Sequence, residues 1–381
     1  MDDVVVVGAS LAGVSTAIHL RRLGHRVTLL DRATVPRRKP CGEGLFPLGV
    51  RALRELGDFE ALIASARPLH GVRFNAGGSI STASLGGQPG LGIRREPLGS
   101  ALLTAATDAG VVIRTGTMVT ALRLRSGRVE AVDTSAGPVA ARAFVAADGL
   151  QSSLRRMAGL DGPLGSRYGV TAHVVLQREL EPLVDIFFER GFELYVTPVG
   201  GRSANAALLL RRAAMTPFAG RVREAFIDLL TAHPSFTAGF ELEDAPIVAG
   251  PFQRRCTRAW RANLVLAGDA AGFFDGISGE GMSAALCSGP LAAQAVHDYL
   301  ATGSYAPFRA YDRARQALAR NSDLLARVSL ALSRNHVVAR RAVSNLARQP
   351  ETFTRLVAVS NGAAPLRSLR PRDLLALTTG L

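Results

Sequence analysis

The stretch that decides the fold is at the amino terminus, where residues 4–13 read V-V-V-V-G-A-S-L-A-G. The β-branched run Val4 to Val7 is typical of a strand buried on both faces of a parallel sheet. The apolar spacing that follows predicts an amphipathic helix that stops near Gly24. Residues 26–31, R-V-T-L-L-D, then predict a second strand that ends in an acid. The order is strand, glycine turn, helix, strand, acid.

This order is that of a dinucleotide-binding unit. Gly8 permits the sharp turn, and Gly13 lets the helix pack closely on the strand. The first turn of the helix, at Leu11 and Ala12, supplies N–H donors and a partial positive charge for a pyrophosphate. Ser10 holds the middle position, where the usual motif has glycine, so its side chain narrows the approach but can donate to a phosphate.

The acid at the end of the second strand completes the motif. Asp31 lies 23 positions after Gly8 and is placed to accept hydrogen bonds from a ribose diol. Its neighbour Arg32 is a further candidate cofactor contact. An ordinary βαβ unit with a glycine turn is the alternative interpretation.

Two later segments also end an apolar strand in glycine and aspartate. Residues 143–156 read A-F-V-A-A-D-G-L-Q-S-S-L-R-R, with the pair Asp148-Gly149. Residues 263–286 contain N-L-V-L-A-G-D, with the pair Gly268-Asp269. A glycine-rich turn follows the second pair and opens a helix predicted over residues 283–293, which Pro290 would kink.

With these motifs the sequence resembles the FAD-dependent oxidoreductases of the para-hydroxybenzoate hydroxylase type. That family includes aromatic-ring and polyketide monooxygenases and geranylgeranyl reductases. The resemblance covers most of residues 1–300 and implies an α/β fold. A Rossmann-like FAD-binding domain would carry an inserted β-sheet substrate domain and end in a helical carboxyl terminus. FAD would be the cofactor, and NADPH or NADH the transient electron donor.

The resemblance also implies roles for individual residues. Asp269, after Gly268, would bind a ribityl hydroxyl of FAD, and Asp148 with Gly149 would serve the pyrophosphate and the nicotinamide. Arg95, three residues before Leu98 at the start of a predicted helix, would contact the flavin nucleotide; a solvated arginine is the alternative. A reduced, anionic flavin needs donors at its pyrimidine edge. Those donors would be the backbone N–H groups of the turn at Gly279, Gly281 and Met282.

The same resemblance, together with the element pattern, predicts three regions. The FAD-binding domain would be discontinuous, the substrate domain would be inserted into it, and the end of the chain would be helical. The predicted ranges are 1–70, 95–165 and 255–304 for the FAD-binding domain, 71–94 and 166–254 for the substrate domain, and 305–381 for the carboxyl-terminal helices.

Two further segments bear on the substrate. Residues 39–47, K-P-C-G-E-G-L-F-P, resemble the reductase branch and many natural-product monooxygenases, and they are expected beside the flavin ring. Gly42 and Gly44 would let the backbone approach the ring, Cys41 is a further candidate cofactor contact, and Phe46 would line an apolar pocket. Cys41 is either a redox thiol or, without a neighbouring cysteine, a small packing residue.

Residues 193–198, E-L-Y-V-T-P, resemble the reductase branch's aromatic-x-Trp-x-x-Pro substrate segment. Tyr195 stands at the tryptophan position and Glu193 at the first aromatic position. Tyr195 and Pro198 are therefore candidate substrate contacts, although Tyr195 also suits an ordinary strand. These departures remove the halogenase tryptophan signature, and the only lysine, Lys39, lies in the wrong motif for a halogenase.

Three functions remain open at this stage. Family frequency favours a monooxygenase that uses NAD(P)H and O2 to hydroxylate or epoxidise a hydrophobic or aromatic small molecule, as in secondary metabolism. The alternative is a reductase of C=C bonds in a prenyl or quinone substrate, and the third is a flavin-binding protein without catalysis. No side chain is predicted to be catalytic, because the flavin supplies the redox chemistry.

The amino-acid composition narrows the classes of molecule that the protein is expected to bind. The net charge is +14, carried almost wholly by arginines spread along the chain, which favours an anionic cofactor or an anionic membrane surface over nucleic acid. Near the carboxyl terminus arginines alternate with apolar residues, a pattern of either a membrane-surface helix or a core-facing helix with a basic outer face. The apolar residues are Leu318, Leu324, Leu325, Val328 and Leu332.

The remaining residues indicate no metal site, catalytic triad or disulfide framework. The three cysteines are scattered and the seven histidines are isolated, which supports neither zinc nor nucleophile spacing. The amino terminus lacks a cationic segment, and no apolar run approaches the roughly 18 to 20 residues of a membrane span. A cytoplasmic protein is expected.

Overall fold

The structure is a computed structural model that describes residues 2–371 and 373, with the backbone but not the side chains of residues 324, 325, 328 and 332. The described chain contains nineteen strands. They are β1 (Asp2–Val7), β2 (Val27–Leu30), β3 (Gly44–Leu45), β4 (Arg67–Leu69), β5 (Gly71–Ala76), β6 (Ser79–Ser84), β7 (Gly90–Gly92), β8 (Val112–Arg114), β9 (Val119–Arg125), β10 (Arg128–Thr134), β11 (Gly137–Ala146), β12 (Arg167–Leu176), β13 (Leu183–Phe188), β14 (Phe192–Gly200), β15 (Ser203–Arg211), β16 (Phe240–Leu242), β17 (Ile247–Ala249), β18 (Trp260–Arg261) and β19 (Leu264–Leu266).

Ten α-helices accompany them in the described residues. They are α1 (Leu11–Arg22), α2 (Pro47–Leu56), α3 (Glu60–Ser65), α4 (Arg95–Asp108), α5 (Ser153–Met157), α6 (Val222–Thr231), α7 (Gly281–Thr302), α8 (Ala306–Ser333), α9 (His336–Arg348) and α10 (Pro350–Ser360).

The first sheet has the order β18-β19-β11-β1-β2-β8. Its central strands pair in parallel, and the valines of β1 are almost completely buried, as their continuous apolar run predicts. The hairpin β9–β10 extends this sheet from β11. Because parallel strands end at the same edge, the carboxyl ends of β2, β1, β11 and β19 lie side by side.

The second sheet has the order β16-β12-β15-β14-β13-β5-β6 and is mainly antiparallel. One face is apolar and packs on α6, through Leu194, Val196 and Leu208 against Phe226 and Leu230. The opposite face carries Tyr195, Leu209 and Ile186 and belongs to a separate cluster. This arrangement gives the α/β fold with a second sheet that the sequence predicts.

The segment predicted to supply further strands of the second sheet, residues 71–94, divides between two sheets. β5 and β6 join the second sheet, but β7 pairs with β3 and β4 in a small three-stranded sheet. The short β7 has the sequence Gly-Leu-Gly, and a Cβ at Gly92 would lie 1.8 Å from the carbonyl oxygen of Pro198. The third sheet therefore lies directly against β14.

Helix α7 begins two residues before the predicted start and runs nine residues beyond the predicted end, through Pro290. Proline lacks an N–H, so the carbonyl of Leu286, four residues earlier, has no helical donor. The Ser15 hydroxyl donates to that carbonyl at 2.9 Å. A neighbouring helix thus replaces the hydrogen bond that proline removes, and the helix continues.

The carboxyl-terminal helices cover both sheets. On α8, Phe308 and Tyr311 are buried against the first sheet, and the Tyr311 hydroxyl donates to the Leu266 carbonyl at 2.6 Å. On α9 and α10, Leu346 and Phe353 pack against Ala83 of β6. Of the predicted apolar residues of α8, Leu318 is half-buried and the side chains of Leu324, Leu325, Val328 and Leu332 lie outside the described residues. Within the described residues, no helix is long and apolar enough to cross a membrane.

Candidate cofactor and substrate site

The three glycine-containing turns predicted from the sequence meet at the carboxyl edge of the first sheet. Val7 is opposite Ala146 in the register, and Ala146 is opposite Leu266, so the residues that follow these strands are neighbours. Gly8 has a φ of +111°, and a Cβ there would lie 2.2 Å from the Ala147 carbonyl oxygen. Only glycine fits between these turns.

Glycine is required at two more positions by the same close packing. A Cβ at Gly13 would lie 1.8 Å from the Gly8 carbonyl oxygen, so α1 packs directly on the turn that precedes it. Gly268 has a φ of +55°, and its Cβ would lie 2.6 Å from the Cβ of Ala12. The turn after β19 therefore contacts the first turn of α1, the helix that follows the turn after β1.

Asp31 fixes the backbone on both sides of the second strand. Its two carboxylate oxygens accept hydrogen bonds from the N–H groups of Ala9 and Ala33, each at 2.9 Å. The side chain is buried beside the glycine turn, as the predicted contact with a ribose requires. Arg32 is exposed and makes no hydrogen bond or ion pair with any residue that the structure describes.

The amino terminus of α1 has no side-chain cap, and cations lie beside it. Ser10 occupies the capping position, but its hydroxyl accepts from Nη2 of the buried Arg95 at 3.0 Å. Arg95 is the first residue of α4, three positions before the predicted helix start, and its Nη1 lies 3.7 Å from Met282 Sδ. Lys39 is close by, and burial lowers its pKa to about 8. An uncapped helix terminus with two cations beside it suits an anion.

Asp269 follows β19 and is close to the same cations. Burial raises its pKa to about 6, and Lys39 and Arg95 oppose that rise. Among the residues that the structure describes, none donates a hydrogen bond to its carboxylate. Such a carboxylate is ready to accept from a hydroxyl of a ligand.

Asp148 has one satisfied and one unsatisfied oxygen. Oδ2 accepts from the N–H groups of Ser153 and Leu154 at 2.8 and 3.3 Å, at the start of α5. Oδ1 is buried and has no hydrogen-bond partner among the residues that the structure describes. The following Gly149 has a φ of +83°, and no protein atom lies within 4 Å of the Cβ it lacks. The unsatisfied oxygen and the open space both suit a ligand.

The turn before α7 is held by the second sheet. Asp275 Oδ1 accepts from the Ile277 N–H at 3.1 Å, and the Tyr195 hydroxyl donates to the Ile277 carbonyl at 2.8 Å. Gly279 has a φ of +70°, with Phe46 3.0 Å from the position of its absent Cβ. Burial raises the pKa of Glu280, the residue before α7, to about 8.

Gly281 and Met282 form the first turn of α7, and Glu280 at the capping position makes no side-chain cap. Their N–H groups therefore belong to a second uncapped helix terminus in the same site. The predicted donors for a flavin pyrimidine edge and the predicted donors for a pyrophosphate thus come from two helix ends, α7 and α1.

The predicted ring-side loop includes an unusual backbone conformation. Gly42 is exposed, and the Cys41 sulfur accepts from the Glu43 N–H at 3.3 Å. Burial raises the pKa of Cys41, which keeps it a thiol and favours the packing interpretation over a reactive thiolate. Glu43 has a φ of +56°, a region that non-glycine residues seldom occupy.

The candidate substrate residues divide between the two faces of the second sheet. Phe46 and Tyr195 are buried in one apolar cluster together with Ile277. Pro198 follows Leu194 and Val196 in the strand alternation, and those residues pack on α6 at the opposite face. The structure therefore brings Phe46 and Tyr195 together and does not bring Pro198 to them.

Sequence reasoning did not assign a role to several buried charged residues near this cluster. Glu193, which replaces an aromatic residue, pairs with Arg167 at 2.7 Å, and Arg167 Nε lies 3.1 Å from Asp275 Oδ2. Glu43 pairs with His173, which also contacts Asp244. The acid within C-G-E-G-L was a local signal for Glu43, but no local pattern identified its partners.

The residues present fit FAD. The fit rests on two uncapped helix termini, the cations Arg95 and Lys39, the unpartnered carboxylate of Asp269 and the orphaned oxygen of Asp148. A nucleotide with a pyrophosphate and several hydroxyls is the chemistry that such a donor and acceptor set matches.

Comparison with known proteins identifies the family. The FAD binding domain family matches residues 1–322, and the chain belongs to that family; it is an FAD-dependent oxidoreductase. A menaquinone reductase of Mycolicibacterium smegmatis is 31% identical over 323 residues, 77% of this chain and 75% of the relative. A kynurenine 3-monooxygenase of Salinispora tropica is 33% identical over 170 residues, 41% of this chain and 38% of the relative.

Solved structures support the same fold. The flavin-dependent brominase Bmp2 aligns with a TM-score of 0.84 and 19% identity, covering 98% of this chain and 97% of the brominase. At that identity the likeness concerns the fold, and the α/β flavoprotein architecture predicted from the sequence is confirmed.

Proposed function

We propose that this protein is an FAD-dependent reductase that saturates a C=C bond of a hydrophobic prenyl or quinone substrate. The observation that carries the proposal is the extent of similarity to reductases. The menaquinone reductase matches 77% of this chain, whereas the monooxygenase matches 41%.

When bound, FAD supplies the hydride chemistry. The chain's own contribution is binding and orientation. The amino terminus of α1, with Arg95 and Lys39, would hold the pyrophosphate, and Asp31 would hold the adenosine ribose. Asp269 would accept from a ribityl hydroxyl, and the N–H groups of α7 would lie at the pyrimidine edge.

The substrate side is apolar where it faces the α7 turn. Phe46, Tyr195 and Ile277 form one buried cluster that would exclude water and receive an isoprenoid or quinone group. The Tyr195 hydroxyl is already used in the hydrogen bond to Ile277. Burial also raises the pKa of Tyr195 well above its ordinary value, so it remains a neutral phenol at the edge of this cluster.

The test is anaerobic turnover. Protein loaded with FAD is mixed with an isoprenoid quinone in detergent and with NADPH or NADH, and the mass of the product is measured by mass spectrometry. After any quinol is reoxidised in air, the expected product has gained two hydrogen atoms in its isoprenoid chain, and this gain occurs in turnover without oxygen. Asp269→Ala, which should lose FAD, is the matched negative control.

Monooxygenation is the second candidate, favoured by the higher identity of the kynurenine 3-monooxygenase over its shorter match. It predicts a product that has gained one oxygen atom and forms only in air. If NAD(P)H is consumed and neither product forms across quinone, prenyl and phenolic substrates, the chain binds flavin without either reaction, and the proposal is wrong.

A further inference from the structure

A chain of three side chains runs from the surface to the loop of residues 41–45. Glu43 Oε2 lies 2.6 Å from His173 Nε2, and His173 Nδ1 lies 2.6 Å from Asp244 Oδ2. Glu43 and His173 are only 3% and 4% exposed. Asp244 is 20% exposed at the side chain and pairs with Arg38 at 2.8 Å. The chain therefore connects solvent with the buried loop through the second sheet.

The geometry of this chain requires an additional proton. Both ring nitrogens of His173 face a carboxylate oxygen, but a neutral imidazole has a single N–H and can donate to one of them only. A second proton allows both hydrogen bonds, with His173 as an imidazolium between two carboxylates. Burial lowers the pKa of His173, and Glu43 and Asp244 together outweigh burial, so the pKa is raised above its ordinary value.

Glu43 transmits this arrangement to the cofactor side. Its Oε1 accepts from the backbone N–H of Arg95 at 2.8 Å, at the first residue of α4. The Arg95 side chain in turn donates to Ser10 at the amino terminus of α1. The positive φ of Glu43 is strained for a non-glycine residue and persists only when surrounding contacts determine it. The bonds from His173 and Arg95 are such contacts.

We propose that Glu43, His173 and Asp244 form a proton-dependent positioning device for the cofactor. Protonated His173 fixes Glu43, and Glu43 fixes both the loop of residues 41–45 and the start of α4, from which Arg95 reaches the site. His173 and Asp244 are positioning residues, because they act through Glu43. The inference rests on the proposed FAD site and is independent of the choice between reduction and oxygenation.

The other charged groups around this chain do not titrate near neutral pH. The arginines stay charged, Arg94 lowers the pKa of Glu243, and burial raises the pKa of Cys41. The groups that face the chain are Arg38, Arg94, Arg95, Glu243 and Cys41. Elsewhere in the site, Lys39, Asp269 and Glu280 do titrate between about pH 6 and 8. The test must therefore compare two proteins at each pH.

The experiment measures the Kd for FAD by flavin fluorescence from about pH 6 to 9, for the wild type and for His173→Gln. A raised pKa means that the imidazolium contributes fully below its unfolded value and is lost as pH rises through the folded value. We expect His173→Gln to weaken FAD binding about tenfold near pH 6, a typical coupling between sites, and the ratio of the two Kd values to fall towards one at high pH.

The matched control is His233→Gln. His233 is also buried against the second sheet, where its Nδ1 accepts from the Ser235 N–H, but it packs with Phe187 and Phe236 and contacts none of the three chain members. It should leave the Kd for FAD unchanged at every pH. Circular dichroism checks that both variants are folded.

A Kd ratio that does not change with pH, or an unchanged Kd, would overturn the proposal, since a purely structural role predicts a constant loss. If His173→Gln does not fold, Asp244→Asn at the surface end carries the test and should show the same pH-dependent loss. Failure of the proposed function is distinct: the wild type would then bind FAD yet form no reduced product, or bind no FAD at any pH.

Discussion

Two glycines of the predicted site differ in what surrounds them. At Gly13 an added Cβ would lie 1.8 Å from a backbone oxygen, whereas at Gly42 it would meet no protein atom within 4 Å. Gly13→Ala should therefore prevent folding, because the clash is with backbone that cannot move aside. Soluble yield and circular dichroism measure this. A folded Gly13→Ala protein would contradict the packing of α1 on its preceding turn.

Gly42→Ala should fold normally, because the space its Cβ enters is free of protein atoms. If the flavin ring approaches this backbone, as proposed, the methyl group should weaken FAD binding about tenfold or more. Gly87→Ala is the control, since no atom of the described residues lies within 4 Å of its Cβ either and it lies in a different segment, the connection between β6 and β7. Equal FAD affinity in both variants would place the ring elsewhere.

The ionised carboxylate of Asp269 should lower the free energy of unfolding when FAD is absent. Its pKa is raised from 3.8 to about 6, so the ionised form is disfavoured in the folded protein. The penalty grows as pH rises between those values and is complete at neutral pH. Asp269→Asn should thus stabilise the FAD-free protein by about 1–3 kcal/mol at pH 7 and not near pH 3.

Urea unfolding of FAD-free protein measures this, with Asp108→Asn as the control because that side chain is exposed. The same Asp269→Asn substitution should weaken FAD binding. A variant that is less stable at neutral pH would contradict the view that the carboxylate awaits a ligand.

Local patterns allowed prediction of the residues whose role depends on their neighbours in sequence. Gly8, Gly13 and Asp31 belong to one motif, and the structure places them where that motif requires. Glu43, His173 and Asp244 lie in three separate segments, and their contact depends on how the second sheet lies over the loop. No periodicity or spacing in the sequence encodes that placement.

At the scale of elements, the buried pair Arg167–Glu193 links β12 to β14 across β15. Glu193→Leu removes one carboxylate partner from the buried Arg167 but leaves Asp275, whose Oδ2 lies 3.1 Å from Arg167 Nε. Removing one partner of a buried pair typically costs about 3–5 kcal/mol, and because Arg167 keeps its second partner, Glu193→Leu should reduce the free energy of unfolding by about 3 kcal/mol, as measured in urea. The turn before α7 should also become less ordered, because Arg167 contacts Asp275 of that turn.

The control for this pair is Glu181→Leu, in the connection between β12 and β13. Glu181 pairs with Arg73 at 2.8 Å, but its side chain is 61% exposed, and exposed pairs contribute about 0–1 kcal/mol. Equal effects of the two substitutions would show that burial of Glu193 has no energetic role.

Element types were predicted better than element ends. The strands β1 and β2 and the helix α1 followed from apolar runs and amphipathic spacing, but α7 ran through Pro290 because Ser15, in another helix, supplied the missing donor. The pairing of β7 with β3 and β4 was not predicted, because a Gly-Leu-Gly strand carries no alternation that assigns it to a sheet.

Across the whole molecule, the carboxyl-terminal helices join the two sheets into one unit. α8 is buried against the first sheet, and its Ala326 belongs to the cluster of Phe46 and Tyr195. Phe353→Ala on α10 should cost about 3–5 kcal/mol, as for other buried aromatic residues. Because α8 to α10 cover both sheets, the temperature at which flavin is released and the temperature at which ellipticity is lost should fall together in this variant.

Thermal unfolding followed by flavin fluorescence and by far-ultraviolet ellipticity tests this coupling. Leu366→Ala is the control, because that side chain is partly exposed. A variant in which ellipticity falls early while FAD stays bound would mean that the first sheet unfolds independently of the helices that cover it.

The crossing of α1 and α7 has a consequence for how quickly a ligand can be accepted. At Gly289 an added Cβ would lie 2.1 Å from the Ser15 hydroxyl, so the two helices touch at their backbones and neither can slide past the other. The amino termini of α1 and α7, which carry partial positive charge, are therefore already oriented before an anion binds. Binding of FAD then requires little further ordering of the protein. FAD-free protein should therefore bind FAD at a rate set by diffusional encounter, without a slow conformational change beforehand.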